Sequence, residues 1–237
     1  MWILILFFGM SILTVIVYKY FPVYVTPLML IRCCEQIKNG EKLKLKHEWK
    51  DWDEISEYMP LAAWAAEDQM FIYHDGFDLE AIQEARKTNK ERGKIVRGAS
   101  TISQQTAKNL FLWPESSWLR KGLEVYFTIL IEAFWDKHRI IEVYVNSIEM
   151  GNGIYGVEAV ARENFGCSAK DLTKQQCALI AATLPNPLVY NSATPSKYMY
   201  SRQRWILRQM RNLGNRFPTE EEIKEMREKK KEKKKTK

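Results

Sequence analysis

The segment 98–109 is the most informative part of this chain, and it reads Gly98-Ala99-Ser100-Thr101-Ile102-Ser103-Gln104-Gln105-Thr106-Ala107-Lys108-Asn109. Small hydroxyl residues come first, and amides and a lysine follow where a helix is predicted to begin. A helix start offers free backbone N–H groups and the positive end of the helix dipole, which together suit phosphate oxygens. Gln105 with Asn109 and Gln104 with Lys108 are four residues apart and share helix faces. Capping explains the Ser and Thr residues but not the amides and lysine, so the segment predicts a phosphate site.

A second segment, 67–78, follows an apolar helix predicted over 61–66 and reads Glu67-Asp68-Gln69-Met70-Phe71-Ile72-Tyr73-His74-Asp75-Gly76-Phe77-Asp78. Acids at a helix end are commonly surface residues, and a single His beside them is more often a structural residue than a catalyst. Together with the phosphate segment, however, these acids become candidates for general acid–base chemistry.

A third segment, 120–124, reads Arg120-Lys121-Gly122-Leu123-Glu124. Arg120 and Glu124 are one helical turn apart, and Lys121 is three residues from Glu124. A simple intrahelical ion pair, worth about 0.3 to 0.5 kcal/mol, has the same spacing. The spacing alone therefore does not establish a site.

The N-terminus is predicted to be an uncleaved transmembrane helix. Residues 2–31 contain a single charged residue, Lys19. This apolar stretch is longer than the roughly 20 residues that span a bilayer. A cleaved signal peptide needs a basic start and a small-residue cleavage site, and neither is found. The apolar stretch 22–31 is expected to lie in the membrane interface.

The rest of the chain reads as mainly α. Apolar residues at three- and four-residue steps over 119–134 predict a long amphipathic helix, Thr173 with Gln176 predicts a capping box, and strand signals are few. We divide the chain into an anchor with its interfacial segment (1–32), a linker (33–56), a catalytic domain (57–214) and a charged tail (215–237). The tail is expected to be a solvated or frayed helix without chemistry of its own.

Composition excludes several classes of function. The chain has 237 residues, of which 46% are hydrophobic and 27% charged, as in one globular domain. Its net charge of +7 lies partly in the tail, so no concentrated basic face is left for a nucleic acid. The four Cys form no CxxC pair and the three His are scattered, so no zinc site is predicted. Unpaired thiols are favoured, with a Cys167–Cys177 disulfide as the alternative.

Taken together, the segments resemble the glycosyltransferase family 51 domain of peptidoglycan polymerases, from about Tyr58 to Met210. The motifs EDxxFxxHxGxD (67–78), GxSTIxQQxxKN (98–109) and RKxxE (120–124) match in order and spacing. A fourth motif covers 139–146 and continues through 151–166, and a fifth lies at 204–207. Val145 and Asn164 depart from the family pattern, at positions away from its carboxylates and phosphate-binding residues.

The resemblance implies a lysozyme-like, mainly α glycosyltransferase domain with a smaller membrane-proximal jaw lobe, preceded by one transmembrane helix. It implies that lipid II is polymerised into glycan strands by inverting transfer, with release of polyprenyl pyrophosphate. No Ser-x-x-Lys occurs, so the acylating serine of a transpeptidase is absent and the chain looks like the monofunctional branch. A lysozyme-like glycan hydrolase and an inactive membrane scaffold for cell-wall enzymes are the alternatives.

The resemblance also implies the roles of single residues. Glu67 is the catalytic base, and Glu124 is essential with a role open between metal ligand and orienter of Arg120. The positions matched to substrate binding are Ser100, Thr101, Gln104, Gln105, Lys108, Asn109, Arg120 and Lys121. The positions that support the first motif are Asp68, Phe71, His74 and Gly76. The resemblance does not fix a cofactor, and it leaves open a requirement for a divalent cation, Mg²⁺ or Mn²⁺, at the carboxylates.

The implied partners are lipid II, the lipid-linked glycan chain, the membrane and other cell-wall synthesis proteins, without nucleic acid. The implied location is the bacterial cytoplasmic membrane, crossed once, with the catalytic domain on the periplasmic side. The distribution of basic residues points the other way, because Lys19, Arg32, Lys38 and Lys42 follow the predicted helix and none precedes it. The substrate argument is given more weight, since large domains translocate largely regardless of charge.

Overall fold

A computed structural model describes residues 2–93 and 98–235 of the chain. Within these residues the fold is mainly helical, as the sequence predicts, with eleven α-helices and three short strands. In chain order the elements are α1 (Trp2–Tyr20), α2 (Pro27–Lys38), β1 (Lys46–His47), α3 (Tyr58–Glu67), α4 (Leu79–Arg92), α5 (Ile102–Phe111), α6 (Trp118–Phe134), α7 (Lys137–Ser147), β2 (Glu149–Gly151), β3 (Ile154–Tyr155), α8 (Val157–Phe165), α9 (Lys174–Ala181), α10 (Lys197–Leu213) and α11 (Glu220–Lys235).

Helix α3 is the centre of the hydrophobic core. All its residues from Met59 to Ala66 are buried, and it packs against α7, α9 and α10. A helix that is apolar on every side is stable in water only when it is surrounded by other elements. Its polar C-terminal residue, Glu67, is therefore held at the edge of the core.

Helix α5 packs against both α6 and α7 and forms the other side of the site. Phe127, Thr128 and Ile131 of α6 are buried, whereas Val125 and Ile129 are exposed. This confirms the amphipathic helix predicted over 119–134. The predicted capping box of Thr173 and Gln176 is also confirmed, at the start of α9.

The three strands form one small sheet in the order β1-β3-β2, with β1 parallel and β2 antiparallel to β3. Gly156, directly after β3, has a φ of +79°, and a Cβ there would meet the Asn146 carbonyl oxygen at 2.1 Å. Only glycine allows this close approach of the sheet to the end of α7. The end of α2 and strand β1 lie within residues 33–56, so the predicted linker is partly made of regular structure.

The N-terminal helix α1 lies against α6. The Trp135 indole donates a 2.8 Å hydrogen bond to the Val15 carbonyl oxygen, and the Arg139 guanidinium donates to the Tyr18 and Phe21 carbonyl oxygens. Many other side chains of α1 are apolar and exposed. Over the described residues, no helix meets the length and apolarity that crossing a membrane requires. The transmembrane anchor thus stays a prediction.

The charged tail differs from its expectation. The predicted helix is present as α11, but it is not simply solvated, because Ile223 is buried and Arg227 donates to the Ile72 and His74 carbonyl oxygens. Ile223 and Met226, two apolar side chains within the charged run, pack on the core and attach α11 to the domain. Cys167 and Cys177 are free thiols in the structure, as are Cys33 and Cys34.

Candidate active site

Glu67 ends α3 and lines a cleft of about 940 Å³. The Gln105 amide donates a 2.8 Å hydrogen bond to Glu67 Oε2, and the buried Tyr144 hydroxyl donates a 3.1 Å hydrogen bond to Gln105 Oε1. Burial raises the pKa of the Glu67 carboxyl, although the hydrogen bond from Gln105 opposes this effect. The hydrogen bond from Gln105 holds the Glu67 carboxyl in one orientation at the cleft. A carboxylate with a raised pKa is also a stronger base, so the group is suited to the predicted role of general base.

Asp68 and His74 connect the first motif to the start of α5. Asp68 Oδ2 accepts a 3.1 Å hydrogen bond from the Ile102 backbone N–H and lies 2.9 Å from His74 Nε2. The Gly76 backbone N–H donates to His74 Nδ1 at 3.1 Å. Because Nδ1 accepts, the ring carries its proton on Nε2 and donates it to Asp68. The pair thus positions α5 beside Glu67.

Thr101 and Gln104 form a capping box at the start of α5. The Thr101 hydroxyl accepts from the Gln104 backbone N–H at 3.2 Å, and Gln104 Oε1 accepts from the Thr101 backbone N–H at 3.1 Å. The Thr101 hydroxyl also donates to the Gly76 carbonyl oxygen at 2.6 Å. Both side chains are buried, and their polar atoms form hydrogen bonds with other groups of the protein. Their binding of substrate therefore stays a prediction.

Gly76 and Phe71 have structural reasons for their place in the motif. Gly76 has a φ of +91°, and a Cβ there would lie 2.7 Å from Thr128 Cγ2 of α6. Phe71 is fully buried, with the Lys137 ammonium 4.4 Å from its ring centroid. These two residues fix the turn after α3 against the neighbouring helices.

Glu124 is 3% exposed and is surrounded by positive charge. Arg120 Nη1 lies 2.8 Å from Glu124 Oε2, and Lys121 Nζ contacts Oε1. The Gln104 amide donates a 3.5 Å hydrogen bond to Oε1. Both oxygens thus contact cations, which fits an orienter of Arg120. Within residues 2–93 and 98–235, no three His, Cys, Asp or Glu side chains are grouped so that they could hold a metal ion.

Lys108 and Asn109 lie on the other side of Gln105, where they border a second cavity of about 260 Å³. Burial lowers the pKa of the Lys108 ammonium; Glu124 opposes the shift, while Arg120 and Lys121 add to it. A desolvated cation interacts more strongly with an incoming anion than a hydrated one. Gln105 borders both cavities, and Ser100 lines the Glu67 cleft.

Sequence reasoning missed two side chains at this site. Arg202 of α10 lines the Glu67 cleft, stacks at 4.1 Å on the Trp205 ring and donates a 3.0 Å hydrogen bond to the Ala66 carbonyl oxygen. Its charge lowers the pKa of Glu67. The three-residue spacing from Trp205 in the fifth motif was an available signal. Tyr144 lies within the fourth motif, but its contact with Gln105 joins residues far apart in sequence.

Comparison with known proteins supports the reading of the motifs. The family model described as "Transglycosylase" matches residues 35–211. A protein of Bacteroides thetaiotaomicron is 59% identical over 215 residues, which cover 91% of this chain and 86% of that protein. A protein of Pseudomonas fluorescens strain Pf-5 is 51% identical over 204 residues, 86% of this chain and 85% of its own length. Both are named biosynthetic peptidoglycan transglycosylase.

The resemblance indicated by the motifs is thereby confirmed over three quarters of the chain, including every segment that lines the Glu67 cleft. Leu28 and Arg32, which border the second cavity, precede the matched residues. The relatives align over nearly their whole length, so the match is not confined to a shared fragment. The chain belongs to the transglycosylase family.

Proposed function

We propose that this chain is a peptidoglycan glycosyltransferase that polymerises lipid II into glycan strands and has no transpeptidase activity. The observation that carries the proposal is the Tyr144–Gln105–Glu67 hydrogen-bonded chain, which ends in a buried carboxylate at a large cleft. A second cavity with the desolvated Lys108 adjoins it across Gln105. A base next to a phosphate-binding cation is what transfer from a sugar pyrophosphate requires.

In the proposed reaction, Glu67 takes the proton of the sugar 4-hydroxyl of the incoming lipid II. The hydroxyl oxygen then attacks the anomeric carbon of the growing chain, and polyprenyl pyrophosphate leaves with the electrons of the broken bond. General base catalysis of this kind contributes about 100- to 10,000-fold in rate. Arg202, which lies at the cleft and lowers the pKa of Glu67, helps to keep the base ionised.

The departing pyrophosphate gathers negative charge, which Lys108 and Arg120 stabilise. Glu124 holds Arg120 in place through its 2.8 Å ion pair. The presence of Glu124 next to a leaving anion is acceptable because Arg120 and Lys121 already neutralise its carboxylate. Ser100 and Asn109 supply further polar contacts from the cleft and the cavity.

We further propose that the enzyme acts at the outer face of the cytoplasmic membrane. Many apolar side chains of α1 are exposed, and so are Trp118, Leu119 and Ile129 of α6, the helix against which α1 packs. Exposed apolar side chains on two packed helices suit contact with lipid, from which the substrate must enter. The membrane-proximal jaw lobe and the single-pass anchor belong to this proposal.

The test is conversion of labelled lipid II by the purified full-length protein in detergent. We expect a polymer that lysozyme digests, and no polymer from Glu67→Gln, which keeps the side-chain volume but removes the base. Lys38→Gln, an exposed change on α2, is the matched control and should retain activity. Polymer formation by Glu67→Gln at the wild-type rate would refute the assignment of the base. Shortening of preformed glycan by the wild-type protein would instead favour the hydrolase.

A further inference from the structure

The cavity beside Lys108 has a second cation at its border. It is bordered by α2 and α5 as well as by the residues around Pro185, and Arg32 of α2 faces it together with Lys108 and Asn109. The apolar part of its wall comes from Leu28, Leu112, Ile148 and Leu184. A cavity with cations in one part and apolar walls in another suits an amphiphilic phosphate.

The polar groups from α5 at this cavity have hydrogen-bonding capacity left. Within the part of the chain that the structure describes, neither the Lys108 ammonium nor the Asn109 side-chain amide is engaged in a hydrogen bond or an ion pair. Only 5% of Asn109 is exposed. Buried amides are ordinarily hydrogen-bonded, so an amide left open towards a cavity indicates a ligand that completes its bonding.

Arg32 is held at the border of the cavity by two carboxylates. Arg32 Nη1 donates a 2.7 Å hydrogen bond to Glu35, and Arg32 Nε lies 3.4 Å from Glu149 Oε1. Despite that proximity, Nε is buried and, among the described residues, forms no hydrogen bond. Glu149 is already bonded to the Tyr155 hydroxyl at 3.2 Å. The guanidinium is thus oriented by the protein at the border of the cavity.

The position of Arg32 on α2 relates the cavity to the apolar surface of the molecule. Leu30 and Ile37 of the same helix are exposed, whereas Leu28 on its inner side lines the cavity. Arg32 thus lies on a helix that carries both exposed apolar side chains and part of the cavity wall. None of the five glycosyltransferase motifs includes Arg32.

We propose that Arg32 is a further substrate-binding residue, which together with Lys108 and Asn109 binds a pyrophosphate linked to a polyprenyl chain in the cavity between α2 and α5. The first prenyl units contact the apolar wall. This inference rests on the proposed function, since that function supplies a prenyl pyrophosphate both on the substrate and as the leaving group.

The direct test is titration of farnesyl diphosphate into the full-length protein in detergent, followed by calorimetry. Arg32→Gln should raise the dissociation constant about tenfold or more, because a charge-assisted contact is lost. Arg32→Lys should restore part of the affinity, and Lys38→Gln, the same charge change on the exposed side of α2, should leave it unchanged. Inorganic pyrophosphate should bind the wild type more weakly than farnesyl diphosphate. Equal affinity of Arg32→Gln and wild type for farnesyl diphosphate would overturn the proposal.

The Glu149→Gln variant tests whether Arg32 binds the diphosphate or only forms a structural ion pair with Glu149. The amide keeps an acceptor for Tyr155 and removes the anion beside Arg32, so farnesyl diphosphate should bind as tightly as before or more tightly. If instead Glu149→Gln and Arg32→Gln weaken binding equally and lower the melting temperature equally, Arg32 only holds α2 in place and the proposal is wrong.

Turnover of lipid II distinguishes this inference from the proposed function. A wild-type protein that makes glycan, with an Arg32→Gln variant of higher KM, supports both. A wild-type protein that makes no glycan but binds farnesyl diphosphate through Arg32 contradicts the proposed function alone. Glycan synthesis with unchanged KM and unchanged diphosphate affinity in Arg32→Gln contradicts this inference alone.

Discussion

At the scale of single residues, the reactivity of the site depends on how Glu67 and Lys108 are buried. Burial raises the pKa of Glu67 above its ordinary value of 4.5 and lowers the pKa of Lys108 below its ordinary value of 10.5. Both shifts disfavour the charged form, and both charged forms are needed for the proposed reaction. The active ionisation state therefore occupies a narrower pH range than it does for the same groups in water.

We accordingly expect a bell-shaped dependence of the polymerisation rate on pH. The rate rises as Glu67 loses its proton, at a pH above that of an ordinary carboxyl, and falls as Lys108 loses its proton, at a pH below that of an ordinary lysine. Initial rates with lipid II across pH test this. In Lys108→Arg, whose cation does not deprotonate, the alkaline limb should move upward; an unmoved limb would show that another group causes it.

Ionisation of the buried Glu67 carboxyl should also lower the free energy of unfolding of the protein. Because its folded-state pKa is raised, the folded protein binds the proton more tightly than the unfolded chain, so stability is lost as pH rises from the unfolded towards the folded pKa. Glu67→Gln removes this loss. Its melting temperature should equal or exceed that of the wild type at pH 7, and the difference should shrink at pH 4. A lower melting temperature at pH 7 would mean that the ionised carboxylate stabilises the fold.

Gly76 is restricted by both its backbone and its neighbour. Its φ of +91° is unfavourable for any L side chain, and a Cβ would lie 2.7 Å from Thr128 Cγ2. Gly76→Ala should lower the free energy of unfolding by about 1 to 3 kcal/mol from the backbone conformation, with a further cost from the overlap. Urea unfolding measures the change. Adding Thr128→Ser, which removes the overlapping methyl group, should recover part of it; full recovery would contradict the contribution from φ.

At the scale of elements, α11 supports the turn that follows α3. Ile223, Arg227 and Lys230 are spaced at four and three residues, so they share one face of the helix. Arg227 donates to the Ile72 carbonyl oxygen at 2.5 Å, to the His74 carbonyl oxygen at 3.1 Å and to Asp75 at 3.0 Å. The turn 71–75 contains His74, which donates to Asp68, and Asp68 in turn accepts from the Ile102 backbone N–H at the start of α5. The tail thus acts on the position of the site.

We expect Arg227→Ala to lower both stability and turnover. Loss of these hydrogen bonds from a partly exposed side chain should cost about 1 to 2 kcal/mol. Turnover should fall because the Asp68–His74 pair is less firmly held. Thermal unfolding and lipid II polymerisation check the two effects. Lys229→Ala, in which an exposed ion pair to Glu225 is lost, is the matched control and should change neither. Equal effects of the two substitutions would indicate a general charge effect.

At the scale of the whole molecule, α1 and α2 bring an apolar surface close to the cavities. Arg139 of α7 holds the end of α1, and Trp135 holds its middle, so the helix is attached to the catalytic helices at two points. Lys108 and Arg32 face one cavity from α5 and α2. The arrangement suits a substrate whose sugar, phosphate and first prenyl units enter the protein while the rest of its lipid stays outside.

The proposed function predicts that the C-terminus lies outside the cytoplasm, because lipid II is polymerised there. A C-terminal fusion to a reporter that is active only outside the cytoplasm should give signal, and a cytoplasm-only reporter at the same position should not. The excess of basic residues after α1 predicts the reverse. Signal from the cytoplasmic reporter alone would contradict the proposed location and leave the enzyme without a growing chain.

The sequence by itself determined the class of the fold and the family. Helical periodicity, the capping residues Thr101 and Thr173, and the spacing of residues within each motif are local features, which depend on residues a few positions apart. Such features can be read without knowing what packs against them. The same holds for Arg120 and Lys121, whose ion pairs with Glu124 follow from their positions on one helix.

Only the tertiary structure decided which groups meet across the chain. Tyr144 reaches Gln105, Arg202 reaches the cleft of Glu67, Arg32 reaches the cavity of Lys108, and Arg227 reaches the turn at His74. The pKa shifts of Glu67 and Lys108 depend in the same way on burial by distant segments. These contacts follow from how helices pack, and helix packing depends on the shapes of side chains far apart in sequence, which periodicity does not contain.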